Sequence, residues 1–183
     1  MSFNEIIGNK IILKPVSLLD VTDEYVSWLN DKEVSHFLAT IKQPYTKKML
    51  FDYITAVVND SSNCMFMIID KVSGKSIGTI KLSNIDKING VCNLGIMIGN
   101  KNYWGGGLGK EALRLVIDYA FNVLNIRKIC DAVHSNNFRA LATDLKIGFS
   151  VEGVLKDQFW HEGEGRYLDK ILIALFAKDW NRK

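Results

Sequence analysis

At 183 residues, 48% hydrophobic and 23% charged, the chain has the composition of a globular protein long enough to bury a core, which excludes a disordered class. No run approaches the ~18 apolar residues of a spanning helix, and the opening MSFNEIIGNK, with Glu5 ahead of its first lysine and no apolar centre, does not read as a secretory signal. A net charge of +3 without a basic block argues little about nucleic acid, whose binders usually show clustered Lys and Arg, and is compatible with a small polyanionic ligand. The expectation is a single cytoplasmic unit over residues 1–183 with neither membrane nor nucleic-acid partner.

Lys10 to Val16 reads as a first strand, with Pro15 near its end or at a sheet edge. A helical stretch opens at Asp20, where Val21, Tyr25, Trp28 and Leu29 fall at helical spacing, and Asn30-Asp31 breaks it before a short turn over Lys32 to Leu38. Thr46 suits the cap of a helix over Lys47 to Val58 striped by Leu50, Ile54, Val57 and Val58. Cys64 to Asp70 and Ser76 to Ile85 read as an antiparallel hairpin turned at Ser73-Gly74, and Asn89-Gly90 delivers a third strand over Val91 to Gly99. Cys64, Cys92 and Cys130 are odd in number and sit in apolar runs, so free buried thiols are expected rather than a disulfide or a metal site.

Next comes a glycine cluster, Gly105, Gly106, Gly107 and Gly109, running straight into a helix over Leu108 to Leu124. Few Cβ atoms and a helix N-terminus let several N–H groups converge on one point, which makes a phosphate cradle. Two nucleotide motifs fail on spacing. A Walker loop needs four residues between its glycines and a hydroxyl after Lys110, where Glu111 stands; a dinucleotide fingerprint counted from Gly105 puts Lys110 in the last glycine's place. Arg127 to His134 reads as a strand parallel to the one before the loop, since it returns through a helix. Asn136 or Asn137 caps a helix closed by Gly148, and Phe149 to Trp180 holds two strands around Gly163-Glu164-Gly165.

The loop Trp104-Gly105-Gly106-Gly107-Leu108-Gly109 resembles the acyl-CoA loop of the GNAT N-acetyltransferases, Gln/Arg-x-x-Gly-x-Gly/Ala at a helix start. Tyr103, Trp104 and Lys110-Glu111-Ala112 resemble the RimJ/RimL-type branch, as does Trp28-Leu29-Asn30-Asp31-Lys32-Glu33-Val34. Further matches follow in order: Asn137-Phe138-Arg139-Ala140 with Lys146-Ile147-Gly148-Phe149, then GFSVEGVLK from Gly148, then Gly165-Arg166-Tyr167-Leu168-Asp169. The resemblance implies the GNAT fold, an α/β mixed and mostly antiparallel sheet flanked by helices, with a parallel pair of strands splayed at the acetyl-CoA site. It also implies direct transfer from acetyl-CoA, without a metal, to a primary amine.

On that resemblance the backbones of Ile96, Met97 and Ile98 pair with the pantetheine amides, a backbone N–H there stabilises charge developing on the thioester oxygen, and Trp104, Gly105, Gly106, Gly107, Leu108, Gly109 and Lys110 form the pyrophosphate loop. Leu108 is more a core contact than a ligand, and Asn137 either bonds the cofactor or caps its helix. Two positions depart from the pattern. Asp144 stands where many relatives place a tyrosine that protonates the thiolate, and an ionised aspartate cannot donate; Asn93 stands where a glutamate often helps deprotonate the amine. His134 then becomes the candidate base. Trp28, Glu33 and Tyr45 are expected to face Phe159, Trp160, His161 and Glu162 across the acceptor cleft, while His36 has no neighbours that point to chemistry. This set favours a nucleotide-linked amino sugar as acceptor, against a protein α-amine of the ribosomal-protein kind or an idle acetyl-CoA-binding module. A homodimer is left open.

Overall fold

The computed structural model describes residues 4–38, 44–161 and 165–180. The strands are β1 (Ile6–Ile7), β2 (Ile11–Pro15), β3 (Cys64–Asp70), β4 (Ser76–Asp86), β5 (Val91–Ile98), β6 (Lys128–His134), β7 (Ser150–His161) and β8 (Arg166–Phe176). The helices are α1 (Asp23–Asn30), α2 (Lys32–Ser35), α3 (Lys47–Asn59), α4 (Leu108–Asn122), α5 (Phe138–Ile147) and α6 (Ala177–Trp180), with 3-10 turns at Leu18–Asp20 and Lys101–Tyr103. One sheet runs β1-β2-β3-β4-β5-β6-β8-β7. Among the described residues β5 and β6 are parallel and every other neighbouring pair is antiparallel. This is the mixed, mostly antiparallel α/β sheet the resemblance implies.

Each face of the sheet carries its own core, because alternate residues of a strand point to opposite sides. On one face α4 buries Leu108, Ala112, Leu113, Val116, Ile117, Ala120 and Phe121 against Phe66, Ile80, Leu82, Leu94 and Ile129. Each large side chain so hidden contributes about 1.5–3 kcal/mol. On the other face Tyr25, Trp28 and Leu29 of α1 and Leu50, Ile54 and Val57 of α3 pack on Met65, Met67 and Met97. The pattern Leu94-Ile96-Ile98 against Met97 within β5 is this division read along one strand.

Local signals set most boundaries. The Thr46 hydroxyl oxygen accepts from Met49 N and starts α3, and Asn137 does the same for α5 through Ala140 N at 3.2 Å. Asp20 does not open a helix. It closes a 3-10 turn, where its carboxylate accepts from Ser17 N and pairs with Lys14 at 2.9 Å, and Thr22 caps α1 instead. The tail hairpin folds back so that β8, not β7, lies beside β6. Gly163 and Glu164 of its turn lie outside the described residues, and Ala177–Trp180 is a helical turn rather than strand.

Candidate active site

The site is organised by a fork between β5 and β6. They pair only at Val91–Lys128, Cys92–Ile129 and Asn93–Cys130. Beyond that step β6 remains held along its other edge, in register with β8 from Lys128–Phe176 to His134–Lys170, and β5 stays in register with β4 as far as Gly78–Ile98. The separation is therefore built into two firm strands and is not fraying. Gly99 N donates to Ile77 O at 2.9 Å on the β4 side, whereas Gly90 O accepts from Lys128 N on the β6 side. Alternation between these two points turns the backbone groups of Leu94, Ile96 and Ile98 toward the gap and those of Gly95 and Met97 toward β4. Of the three expected pantetheine partners, Ile96 and Ile98 face the gap. Met97 instead spends its backbone on Thr79 and its side chain in the core under α1 and α3. Leu94, which sequence reading did not single out, faces the gap as well.

At the open end of the fork the glycine loop meets the start of α4. Gly105 and Gly107 both adopt φ +80, and a Cβ on either would meet only open space, with nothing within 4 Å. Only glycine takes that φ without strain. Gly107 is the residue from which α4 begins, and the unpaired N–H groups of the first turn point into the same space. Gly109 is not demanded by packing: a Cβ there would make an ordinary contact with Ile98 Cγ1 at 3.5 Å. Leu108 is buried in the core. Trp104 donates its indole N–H to Ile98 O at 2.8 Å and so ties the loop to the end of β5. Gly106 and Lys110 are exposed on the loop surface. This cradle and the free edge of β5 fit a pyrophosphate followed by an extended amide-bearing arm.

On the far side of the fork three histidines converge. His134, at the end of β6, stacks on Phe159 with centroids 4.1 Å apart and meets the edge of Phe37 at 5.9 Å. His36 and His161 approach through their Nε2 atoms at 3.2 Å. Burial, followed by His161, Lys170 and His36, holds His134 below its ordinary value, and its buried Nδ1 has no partner. It is thus a neutral imidazole at pH 7 with a free nitrogen, the form a base requires. His36 and Phe37 were not foreseen here, since a contact across more than a hundred residues leaves no local sequence signal.

Other expected acceptor residues lie elsewhere. Trp28 is only 6% exposed and packs flat on Gly99, where any Cβ would overlap its ring, so it belongs to the core. Glu33 does not stand free for an ammonium; it and Asp31 both bind Lys101 at 2.7 Å. Trp160 alternates away from Phe159 and pairs with Tyr167 at 5.2 Å on the outside of the hairpin. Tyr45 is half-buried, its backbone held by the Asn30 side chain at 2.7 and 2.8 Å, and Glu162 lies outside the described residues. Asn93 accepts from Asn84 Nδ2 at 3.1 Å. Asn137 is occupied as a helix cap. Asp144 is not the plainly ionised group expected from sequence, because burial pushes it up to about 7.

A family profile described as an acetyltransferase (GNAT) domain matches residues 10–150. The chain belongs to the GNAT acetyltransferases. The spermidine N(1)-acetyltransferase of Escherichia coli K12 is 30% identical over 174 residues, covering 94% of this chain and 89% of that protein. An uncharacterised N-acetyltransferase, p20, of Bacillus licheniformis is 28% identical and covers 93% and 95%. Among solved structures, the spermidine N-acetyltransferase of Vibrio cholerae in complex with CoA and spermine superposes with a TM-score of 0.85 at 22% identity, covering 95% of this chain and 99% of that one.

As a GNAT enzyme the chain transfers an acetyl group from acetyl-CoA to a primary amine. Acetyl-CoA supplies a thioester whose carbonyl carbon accepts the amine nitrogen. The glycine loop and the first turn of α4 are placed to hold its phosphates, and the free edge of β5 to align its arm; alignment itself supplies much of the acceleration when both reactants are fixed. The neutral His134 imidazole can take the proton that the amine must lose. Among the described residues no group of three or more His, Cys, Asp or Glu gathers as a metal site.

Two outcomes follow. Gly107→Val places a branched side chain at φ +80 in the open space at the start of α4 and should weaken acetyl-CoA binding about 100-fold or more, with the folded signal retained. Calorimetry checks it, and unchanged affinity would remove the phosphates from this loop. His134→Ala should lower turnover about 100-fold. Because burial lowers its pKa, the parent should keep its rate as pH falls until below about 6.5 and then lose it; the variant's rate profile should lack that acid limb.

Proposed function

We propose that the acceptor is a linear aliphatic polyamine and that the chain acetylates one of its terminal primary amines. The observation that carries this reading is the 30% identity to a spermidine N(1)-acetyltransferase across 94% of the chain. The shape of the acceptor side supports it. Phe37, Phe159 and His134 make a packed aromatic cluster at the end of β6, and aromatic faces suit both methylene chains and ammonium groups. Among the described residues neither Trp28, in the core, nor Trp160, on the outside of the hairpin, offers a nucleotide base a platform beside this cluster. These features favour the small-amine side of the family over the RimJ/RimL-type acetylation of protein N-termini.

The reading is tested by offering spermidine, a nucleotide-linked amino sugar and a short peptide at equal concentration with radiolabelled acetyl-CoA. Label should enter spermidine at least about 10-fold faster than either competitor. Label on the sugar or the peptide α-amine alone would overturn the polyamine assignment, and label on none of them with acetyl-CoA bound would favour an idle binding module.

A further inference from the structure

The aromatic cluster at the end of β6 stands partly on a short helix outside the sheet. α2 has four residues, none of them buried, and a helix of that length is not stable by itself. Yet the two residues that follow it meet the other rings of the cluster. His36 Nε2 lies 3.2 Å from His161 Nε2, and Phe37 meets His134 edge-on with centroids 5.9 Å apart. Val34 and Leu38 pack against the core under α1 and α3. The direction of α2 is not dictated by α1, because the chain turns between them at Asp31, whose backbone is extended at φ −75 and ψ 118.

Lys101 reaches across that turn. Its Nζ lies 2.7 Å from Asp31 Oδ2 and 2.7 Å from Glu33 Oε2, so one ammonium holds both the residue that caps α2 and its first turn. The 3-10 turn that carries Lys101 is itself firmly placed. Asn100 N donates to Ile77 O at 3.1 Å, the Tyr103 and Ser73 hydroxyls share a hydrogen bond at 3.0 Å, and Ser73 donates to the Asp70 carboxylate at 2.6 Å. The same turn runs on into Trp104 and the glycine loop, so one piece of backbone locates the cofactor loop on one side and α2 on the other. A lysine whose side chain stays 43% exposed adds little to overall stability through such a pair. Two carboxylates converging on three donors instead fix a direction.

We propose that Lys101 is a positioning residue for the acceptor half of the reaction: by clamping Asp31 and Glu33 it sets His36 and Phe37 against His134. The clamp stays charged through the neutral range, because Lys101 holds Asp31 below the usual carboxylate range, and Asp31, followed by Glu33, holds Lys101 above the usual amine range. What it controls is the surroundings of His134. Burial is the first cause that holds that imidazole below its ordinary value, followed by His161 of β7, Lys170 of β8 and His36 beyond α2. Phe37 supplies part of the burial, and both it and His36 ride on α2. If the clamp is released these two withdraw, and each loss moves His134 upward. The base is then protonated at a higher pH, and the amine meets looser walls.

The inference rests on the acetyltransferase activity and not on which amine is the acceptor. Lys101→Met keeps most of the side chain and removes the charge. It should bind acetyl-CoA as the parent does, raise KM for spermidine about 10-fold, and move the acid limb of the rate profile to higher pH. Imidazole resonances read the same change without turnover. The chain holds three histidines, His134→Ala identifies the signal, and in Lys101→Met that signal should titrate closer to the ordinary value of about 6.5 than it does in the parent. Lys101→Arg keeps a cation and should restore the parent's titration and KM. Asp31→Asn combined with Glu33→Gln keeps a capping oxygen but loses both charges, and it should repeat the Lys101→Met result, which keeps the test open if that variant does not fold. An unchanged His134 titration in both charge-removing variants overturns the proposal, as does a Lys101→Met enzyme that loses acetyl-CoA binding along with the acceptor, since that marks damage to the whole turn. Failure of spermidine alone, with the His134 titration shifted as expected, counts only against the acceptor.

Discussion

The release of β5 by β6 after three backbone pairs is the constraint on which the rest of the molecule depends. When adjacent strands part, the ladder of hydrogen bonds between them is lost, and its backbone groups are costly to leave unmade unless something else meets them. Here the loss is confined to one interval because each strand is held firmly on its outer side, β5 by β4 and β6 by β8. The place of β8 explains the tail's topology: a hairpin with β7 next to β6 could still close the sheet, but the long ladder from Lys128 to His134 comes from β8.

From that interval the chemical parts follow by geometry. The open end leads to the glycine loop, where Gly105 and Gly107 take the left-handed conformation at the start of α4. Along β6, Asp131 lies on the face under α4 and α5, while the continuation of the strand carries His134 to the other face. Burial raises Asp144 and lowers His134, which in both cases favours the uncharged form.

Much of this was legible in sequence where the signal is local. The turns at Ser73-Gly74 and Asn89-Gly90, the Thr46 cap, and the run of glycines into α4 depend on neighbours within a few residues, and each lies where expected. Periodicity placed Trp28 on an apolar helix face but could not say whether that face met a cleft or a core; Gly99, seventy residues on, decides it by leaving room for the indole ring. β1 is two residues long and carries no pattern at all. The meeting of His36 with His161 and the burial of Asp144 are products of long-range packing, so residue type alone misjudged both. Asp144 is the clearest case, since an aspartate reads as an anion until its surroundings are known.

The fork itself is most directly examined by amide hydrogen exchange. Without ligand, the N–H groups of Ile96 and Ile98 should exchange far faster than those of Gly95 and Met97, which are paired to β4, and acetyl-CoA should slow the Ile96 and Ile98 amides while leaving the other two unchanged. Equal protection of all four amides in the free protein, or no response of Ile96 to acetyl-CoA, would contradict the account.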